Sequence, residues 1–447
     1  MPDRIMVPFR GAGSGVDELS WGQRELWGGM RRQRTWMPMG IVVPLLDGSS
    51  VDDVVAELRF VVERYQSMRT RLRLRPDGPP QQVLSEAGEM PLEVVDAPED
   101  GDPAVTAAEV QRRLEDTAFD FERDWPVRTA VIRHRGAPTH QVTVVCHLVA
   151  DGFGAMVLVD EVDRWRRSEA LDASPDGMQP LEQAQWQRSP AGQRQCAAAL
   201  RHWEHTLRAI PARRFPGPVD PRRPRHWQAG FASRALHLAA RVIARRTGTD
   251  RATVLLTAFA VGLTEATGIH PAVVKVVVSN RFRRTLAGSV SPVSQPALCV
   301  LDVDGLPFDE AVALTGRRAL TAYKHAYYDP DQLDALIQRV GRERGEELDI
   351  ACYFNDRRPQ GATADPAPST AEVRAALAET RFHWMARQDR PNERLFLTIS
   401  ATPDTVDLDI CGDTEHLSPA MLEACVRKME AVTVAAAGLA PAEELTG

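Results

Sequence analysis

The stretch from Val142 to Trp165 leaves the chain few options. Val142-Thr143-Val144-Val145-Cys146 is apolar and β-branched and reads as a buried strand. It delivers His147 to the strand end, and Asp151-Gly152 follows four and five residues later. Gly152 and Gly154 free the backbone before an apolar-periodic segment, Met156 to Trp165. A strand, a glycine-bearing turn and a helix in that order call for a sheet covered by helices. A histidine at a strand end with an aspartate one turn away suits a general base aimed into a cleft. The same residues also suit a core histidine beside an ordinary Asp-Gly turn.

Cys146-His147-Leu148-Val149-Ala150-Asp151-Gly152 resembles the HHxxxDG signature of the condensation-domain superfamily, the acyltransferases related to chloramphenicol acetyltransferase. Cysteine replaces the first histidine, and the second is kept as His147. Further matches follow in the expected order. Ser20-Trp21-Gly22-Gln23-Arg24-Glu25-Leu26-Trp27 is similar to the family's opening SxxQxRLW, and Val62-Glu63-Arg64-Tyr65-Gln66-Ser67-Met68-Arg69-Thr70-Arg71 to its RHxxLRTxF. Phe119 to Arg128 resembles the segment that precedes the histidine strand. The resemblance implies an α/β (α+β) fold of two chloramphenicol acetyltransferase-like lobes, each a mixed sheet flanked by helices, with a tunnel between them.

Composition agrees. The 447 residues exceed what one core usually serves, and two lobes fit. They are expected at 1–180, carrying the HxxxDG motif, and at 181–447, with the polar, proline-containing stretch 168–190 as the boundary. A net charge of −7 argues against nucleic acid as a partner. The arginine-rich stretches at Arg222, Arg223, Arg225 and at Arg281, Arg283, Arg284 read as solvated faces or as a docking patch for an acidic carrier protein. The N-terminus lacks the apolar core of a signal peptide, and no apolar run approaches the ~18 residues of a membrane span. The six cysteines are scattered without paired spacing, which predicts buried, reduced thiols, no metal site and a cytoplasmic location.

Local signals place the other elements. Residues 1–16 read as a loose lead-in, followed by a helix capped by Ser20 and a second from Val51 to Tyr65 capped by Ser50. Strands are expected at 127–134 and 140–147, a strand-like segment at 232–238, an apolar helix over 250–267 and a β-branched strand over 273–279. The segment 307–340 reads as helical, 348–355 as a strand, and 418–437 as a closing helix.

The resemblance also assigns roles. His147 is the base or positioning group for the acceptor, and backbone N–H groups near Gly152 favour the developing oxyanion. Asp151 is structural and pairs with an arginine at a strand end in the other lobe. Arg281, after Val276-Val277-Val278-Ser279-Asn280, has that form, with Arg283 and Arg284 as rivals. Thr143 and Val145 share the face of His147 on the strand and are tunnel candidates, joined by Phe153 and Asn355. Cys146 falls on the opposite face. No GxSxG elbow or Cys–His–Asn pattern suggests a covalent acyl-enzyme.

The expected activity is that of a free-standing condensation enzyme of natural-product biosynthesis. It moves an acyl or aminoacyl group from a carrier-protein thioester to a small amine or alcohol, with the carrier acting in trans. Alternatives are an acyl-CoA-dependent O- or N-acyltransferase and a catalytically silent recruitment platform. No bound cofactor is expected, since the donor rides on phosphopantetheine or coenzyme A.

Overall fold

The computed structural model describes residues 3–217, 219–358, 368–389, 393–400 and 402–438. The chain forms two compact units: Met1–Gln195 with Ser279–Ser294, and Cys196–Val278 with Gln295–Gly447.

The first unit is built on a five-stranded sheet. Its order is Asp3–Arg10, Ala87–Asp96, Val127–His134, Ala137–Cys146 and Pro38–Pro44. Every pairing is antiparallel except that of the second strand with the third. A small sheet of Gly15–Glu18, Gln81–Leu84 and Thr70–Arg73 accompanies it. The period-2 pattern of Ala137–Cys146 divides its side chains between two cores. Val142, Val144 and Cys146 enter one with Ala107, Val110 and Leu114 of the helix Pro103–Asp116. Val145 packs on the other face, against a cluster that includes Val54, Leu58 and Val62 of the helix Val51–Arg64. The helix Gly152–Arg166 adds Val157 and Leu158 to that same side.

The second unit carries a seven-stranded sheet of mixed direction. Its order is Gln295–Leu301, Ala272–Val278, Cys352–Asp356, Leu395–Ile399, Val406–Asp413, His226–Ser233 and Arg381–Gln388. The helices Arg234–Thr247, Arg251–Thr267 and Pro419–Ala437 join it in one large core.

The expected caps are present. Ser20 and Ser50 each accept the N–H three residues on, and Gln23 and Asp53 answer back to the cap backbone. Other expectations need correction. The lead-in expected over 1–16 is not loose where it is described, from residue 3 on: Asp3–Arg10 pairs with Ala87–Asp96 from Asp3↔Val94 to Arg10↔Ala87. The segment 232–238 is split, because the strand His226–Ser233 stops where the Ser233 hydroxyl accepts the Leu236 N–H and starts a helix. The helical stretch 307–340 breaks into Phe308–Tyr323 and Pro330–Arg344, with Asp329 capping the second.

The division between units falls at 195/196, whereas the sequence reading puts it at 180/181. The helix Pro180–Arg188 is fastened to the first unit. Gln187 Oε1 accepts the Trp21 N–H at 2.9 Å, and Gln82 Nε2 donates to the Pro180 carbonyl at 3.2 Å.

Candidate active site

The strand Ala137–Cys146 ends one residue before His147, whose N–H still donates to the Met37 carbonyl at 3.2 Å. The chain then turns, and the Val149 N–H meets the Cys146 carbonyl at 2.8 Å. This turn brings the Ala150 carbonyl to 2.8 Å from His147 Nδ1. A carbonyl can only accept, so Nδ1 carries a proton, and in the neutral ring the lone pair is then on Nε2. The imidazole is half-buried and held in the tautomer a general base requires.

Asp151 caps the helix Gly152–Arg166, its Oδ1 accepting the Gly154 N–H at 2.8 Å. The carboxylate is only 5% exposed and is surrounded by donors. Arg281 approaches both oxygens, Nη2 to Oδ1 at 2.8 Å and Nη1 to Oδ2 at 3.0 Å. Oδ2 also accepts the Val293 N–H at 3.0 Å, the Ser294 N–H at 2.8 Å and the Ser294 hydroxyl at 2.7 Å. Burial alone would raise the Asp151 carboxyl, but the Arg281 guanidinium and the Ser294 and Gly154 donors outweigh it and hold the group below the usual carboxylate range. Saturated in this way, Asp151 is an orienting group.

Arg281 is fixed from behind by the Ser289 carbonyl at 2.8 Å and the Ser291 carbonyl at 3.2 Å. Its segment, Ser279–Ser294, belongs to the first unit, which corrects the expectation that Asp151 finds its arginine in the other lobe. Ser67, from the second matched motif, donates to the Val290 carbonyl at 2.9 Å, and Gln183 donates to the Ser291 hydroxyl at 2.7 Å. Gly22, from the first motif, admits the Pro292 backbone so closely that a Cβ there would lie 2.0 Å from its carbonyl oxygen. The matched motifs are thus the parts that grip this loop.

Of the other candidates, Thr143 and Val145 are half-buried on the His147 face of the strand. Gly152 is exposed at the first turn of its helix, and Phe153 is half-buried beside it. Asn355 lies in the second unit, on Cys352–Asp356, opposite Thr398. Cys146 is 1% exposed, and burial pushes its thiol up to about 12. Its Sγ faces the Trp36 carbonyl at 3.5 Å, as a neutral thiol would. Val293 and Ser294 escape sequence reading, and Gly154, read in the sequence only as freeing the backbone, has a second role. A Cβ on Gly154 would lie 2.8 Å from Arg281 Nη2, so this glycine makes room for the guanidinium. Val293 and Ser294 stand more than a hundred residues from Asp151, with no local signal to link them.

One cluster among the described residues, Asp413, Glu415 and His416 in the second unit, has the spacing of cation ligands. Arg225 already pairs with both carboxylates, and Arg394 with Asp413, so guanidinium charge occupies that role. No helix among the described residues is long and apolar enough to cross a membrane.

Comparison with known proteins bears on the family and the fold. Residues 39–382 match the condensation-domain family model. The isonitrile lipopeptide synthase of Mycobacterium tuberculosis is 27% identical over 337 residues, covering 69% of this chain; the chain spans 13% of that protein's length. A structure reported for condensation domain-mediated chain release from the enacyloxin polyketide synthase superposes with a TM-score of 0.72 at 18% identity, covering 97% of this chain and 85% of its own. A variant starter condensation domain of rhizomide synthetase, in complex with C8-CoA, gives a TM-score of 0.68 at 15% identity, with 95% of each chain covered. With its paired lobes of mixed sheet and flanking helices, its Asp-Gly turn and its match over most of its length, the chain belongs to the condensation-domain family.

Proposed function

We propose that this protein condenses an acyl or aminoacyl thioester with a small amine or alcohol, in natural-product biosynthesis, by direct transfer. The donor is carried on the phosphopantetheine of a carrier protein that lies outside these 447 residues. The observation that carries this reading is the His147 tautomer. With Nδ1 donating to the Ala150 carbonyl, Nε2 is the basic atom, and Asp151 and Arg281 hold the turn that supplies that carbonyl.

In this reading, Nε2 accepts the proton of the acceptor N–H or O–H as the acceptor's lone pair attacks the thioester carbon. The tetrahedral oxyanion lies near the Gly152 N–H at the start of its helix, where unsatisfied N–H groups and the helix dipole favour negative charge. Collapse expels the thiolate, which takes the proton from the imidazolium and leaves as a thiol. No covalent acyl-enzyme is needed. Thr143, Val145 and Phe153 border the reacting groups from the strand and the helix start.

The test is transfer from an octanoyl-loaded carrier protein and from octanoyl-CoA to a panel of amines and alcohols, with products read by mass spectrometry. Product from the carrier supports the reading. Product from octanoyl-CoA alone moves the donor class to coenzyme A, the ligand of the rhizomide synthetase neighbour. No product from either donor, with the fold intact, overturns acyl transfer.

A further inference from the structure

One face of the seven-stranded sheet belongs to the core of the second unit, which takes in Phe354, Leu397, Leu408 and Phe231. The period-2 alternation of strands turns their neighbours to the other face. There the register sets Asn355 beside Thr398, Thr398 beside Asp409, Asp409 beside Gly230, and Gly230 beside His383. A polar row thus crosses five strands, with about 5 Å from one backbone to the next. The adjoining row on the same face begins with Tyr353 and Phe396, whose rings stack with centroids 5.2 Å apart.

Arg357 extends this face beyond Asn355. Its N–H still donates to the Ile399 carbonyl at 3.0 Å, while Asp356 and Arg358 pair with each other on the opposite side. Arg357 is exposed, and Asn355 and Asp409 are half-buried. Among the described residues, the side chains of Asn355, Arg357, Thr398 and Asp409 make no hydrogen bond or ion pair. Arg357 and Asp409 act on each other electrostatically without touching, their backbones roughly 12 Å apart, two strands and two residues removed. Burial, opposed by Arg357 and aided by Asp407, pushes the Asp409 carboxyl above its usual range. A half-buried carboxylate in that position gains from any cation brought to it. Gly230 leaves room beside it: a Cβ there would lie 2.5 Å from His383 Cε1, so the imidazole occupies the space over the glycine.

We propose that this face of the second unit is a recognition site for a free α-amino acid, with Arg357 taking its carboxylate, Asp409 its ammonium, and the Tyr353–Phe396 stack its apolar side chain. Two opposite charges held apart on one face, with an amide and a hydroxyl between them, complement a zwitterion. A simple amine would leave the guanidinium unmatched, and a simple acid would leave the carboxylate unmatched. The planar guanidinium suits a carboxylate bidentately, and Asn355 and Thr398 supply neutral hydrogen bonds to the same head group. The polar row lies between Arg357 and the aromatic stack, the order in which an amino acid presents its carboxylate, its amine and its side chain. The inference concerns the second unit by itself and does not rest on the condensation reading.

The experiment is calorimetric titration of the full chain, without any acyl donor, with alanine, leucine and phenylalanine. Phenethylamine, which lacks the carboxylate, and 3-phenylpropanoate, which lacks the ammonium, are the matched probes. Phenylalanine is expected to bind the wild type, and each matched probe to bind roughly tenfold or more weakly. Arg357→Gln should weaken phenylalanine to the level of phenethylamine yet hold phenethylamine within about twofold of wild type. Asp409→Asn should do the same with 3-phenylpropanoate as the unaffected probe. Retention of that probe shows that each variant is folded, so the loss of phenylalanine belongs to the missing charge. Binding of none of the three amino acids by the wild type overturns the proposal. So does a matched probe that binds the wild type as tightly as phenylalanine, or a variant that keeps wild-type affinity for phenylalanine. A variant that loses phenylalanine and its unaffected probe together also overturns it, because the two charges would then not be read separately.

Discussion

His147 sits where a change of one side chain separates chemistry from packing. His147→Ala is expected to lower transfer by ~10²–10⁴-fold, the usual range for loss of a general base, with an unchanged melting curve. Near-wild-type turnover in a product assay would reduce the residue to a packing role. Cys146→Ala should keep most activity, because the thiol points into the opposite core. Gly154→Ala is the sharper test of the site's construction. Its Cβ would meet Arg281 Nη2 at 2.8 Å, so both melting temperature and turnover should fall. Of these residues, His147 was legible in the sequence because its signal is local, a strand run ending at a turn. The reason for Gly154 was not, since it depends on a guanidinium 127 positions away.

The turn, the loop and the helix Gly152–Arg166 act as one assembly. Removing either member of a buried ion pair strands the other, at a cost of ~3–5 kcal/mol. Asp151→Ala and Arg281→Ala should therefore each lower the melting temperature, and the double variant should lose less than the two losses added. Strict additivity in chemical denaturation would mean that the contact contributes nothing. The depressed Asp151 carboxyl gives the pH dependence its sign. Its contribution is complete above about pH 4, the unfolded carboxylate range, and is lost as pH falls through the lower folded value. Asp151→Asn should flatten the acid limb of a stability–pH profile. Helices with their own caps were readable in advance, as at Ser20 and Ser50. The strand Asp3–Arg10 was not, because its alternation is polar at first and its partner, Ala87–Asp96, lies far along the chain.

His237 makes the stability of the second unit sensitive to mild acid. The ring is 5% exposed and its Nδ1 has no hydrogen-bond partner; burial, then Arg251, Arg241 and Arg358, push its pKa down from 6.5 to about 4. The unfolded chain binds that proton first, so stability falls as pH drops below about 6.5, by up to about 1.4 kcal/mol per pH unit. His237→Leu should flatten the melting temperature between pH 6.5 and 4; an unchanged slope assigns the sensitivity elsewhere.

The return of Ser279–Ser294 to the first unit bears on how relatives of this chain can be recombined. A splice at 195/196 follows the boundary in sequence yet hands the new partner one half of the Asp151–Arg281 brace. A chimera joined there inherits Asp151 and Gly154 from one parent and Arg281, Val293 and Ser294 from the other. Compatibility between parents is then set by sixteen residues of grafted loop, and transplanting residues 279–294 along with the first unit is the exchange that keeps the brace of one lineage whole.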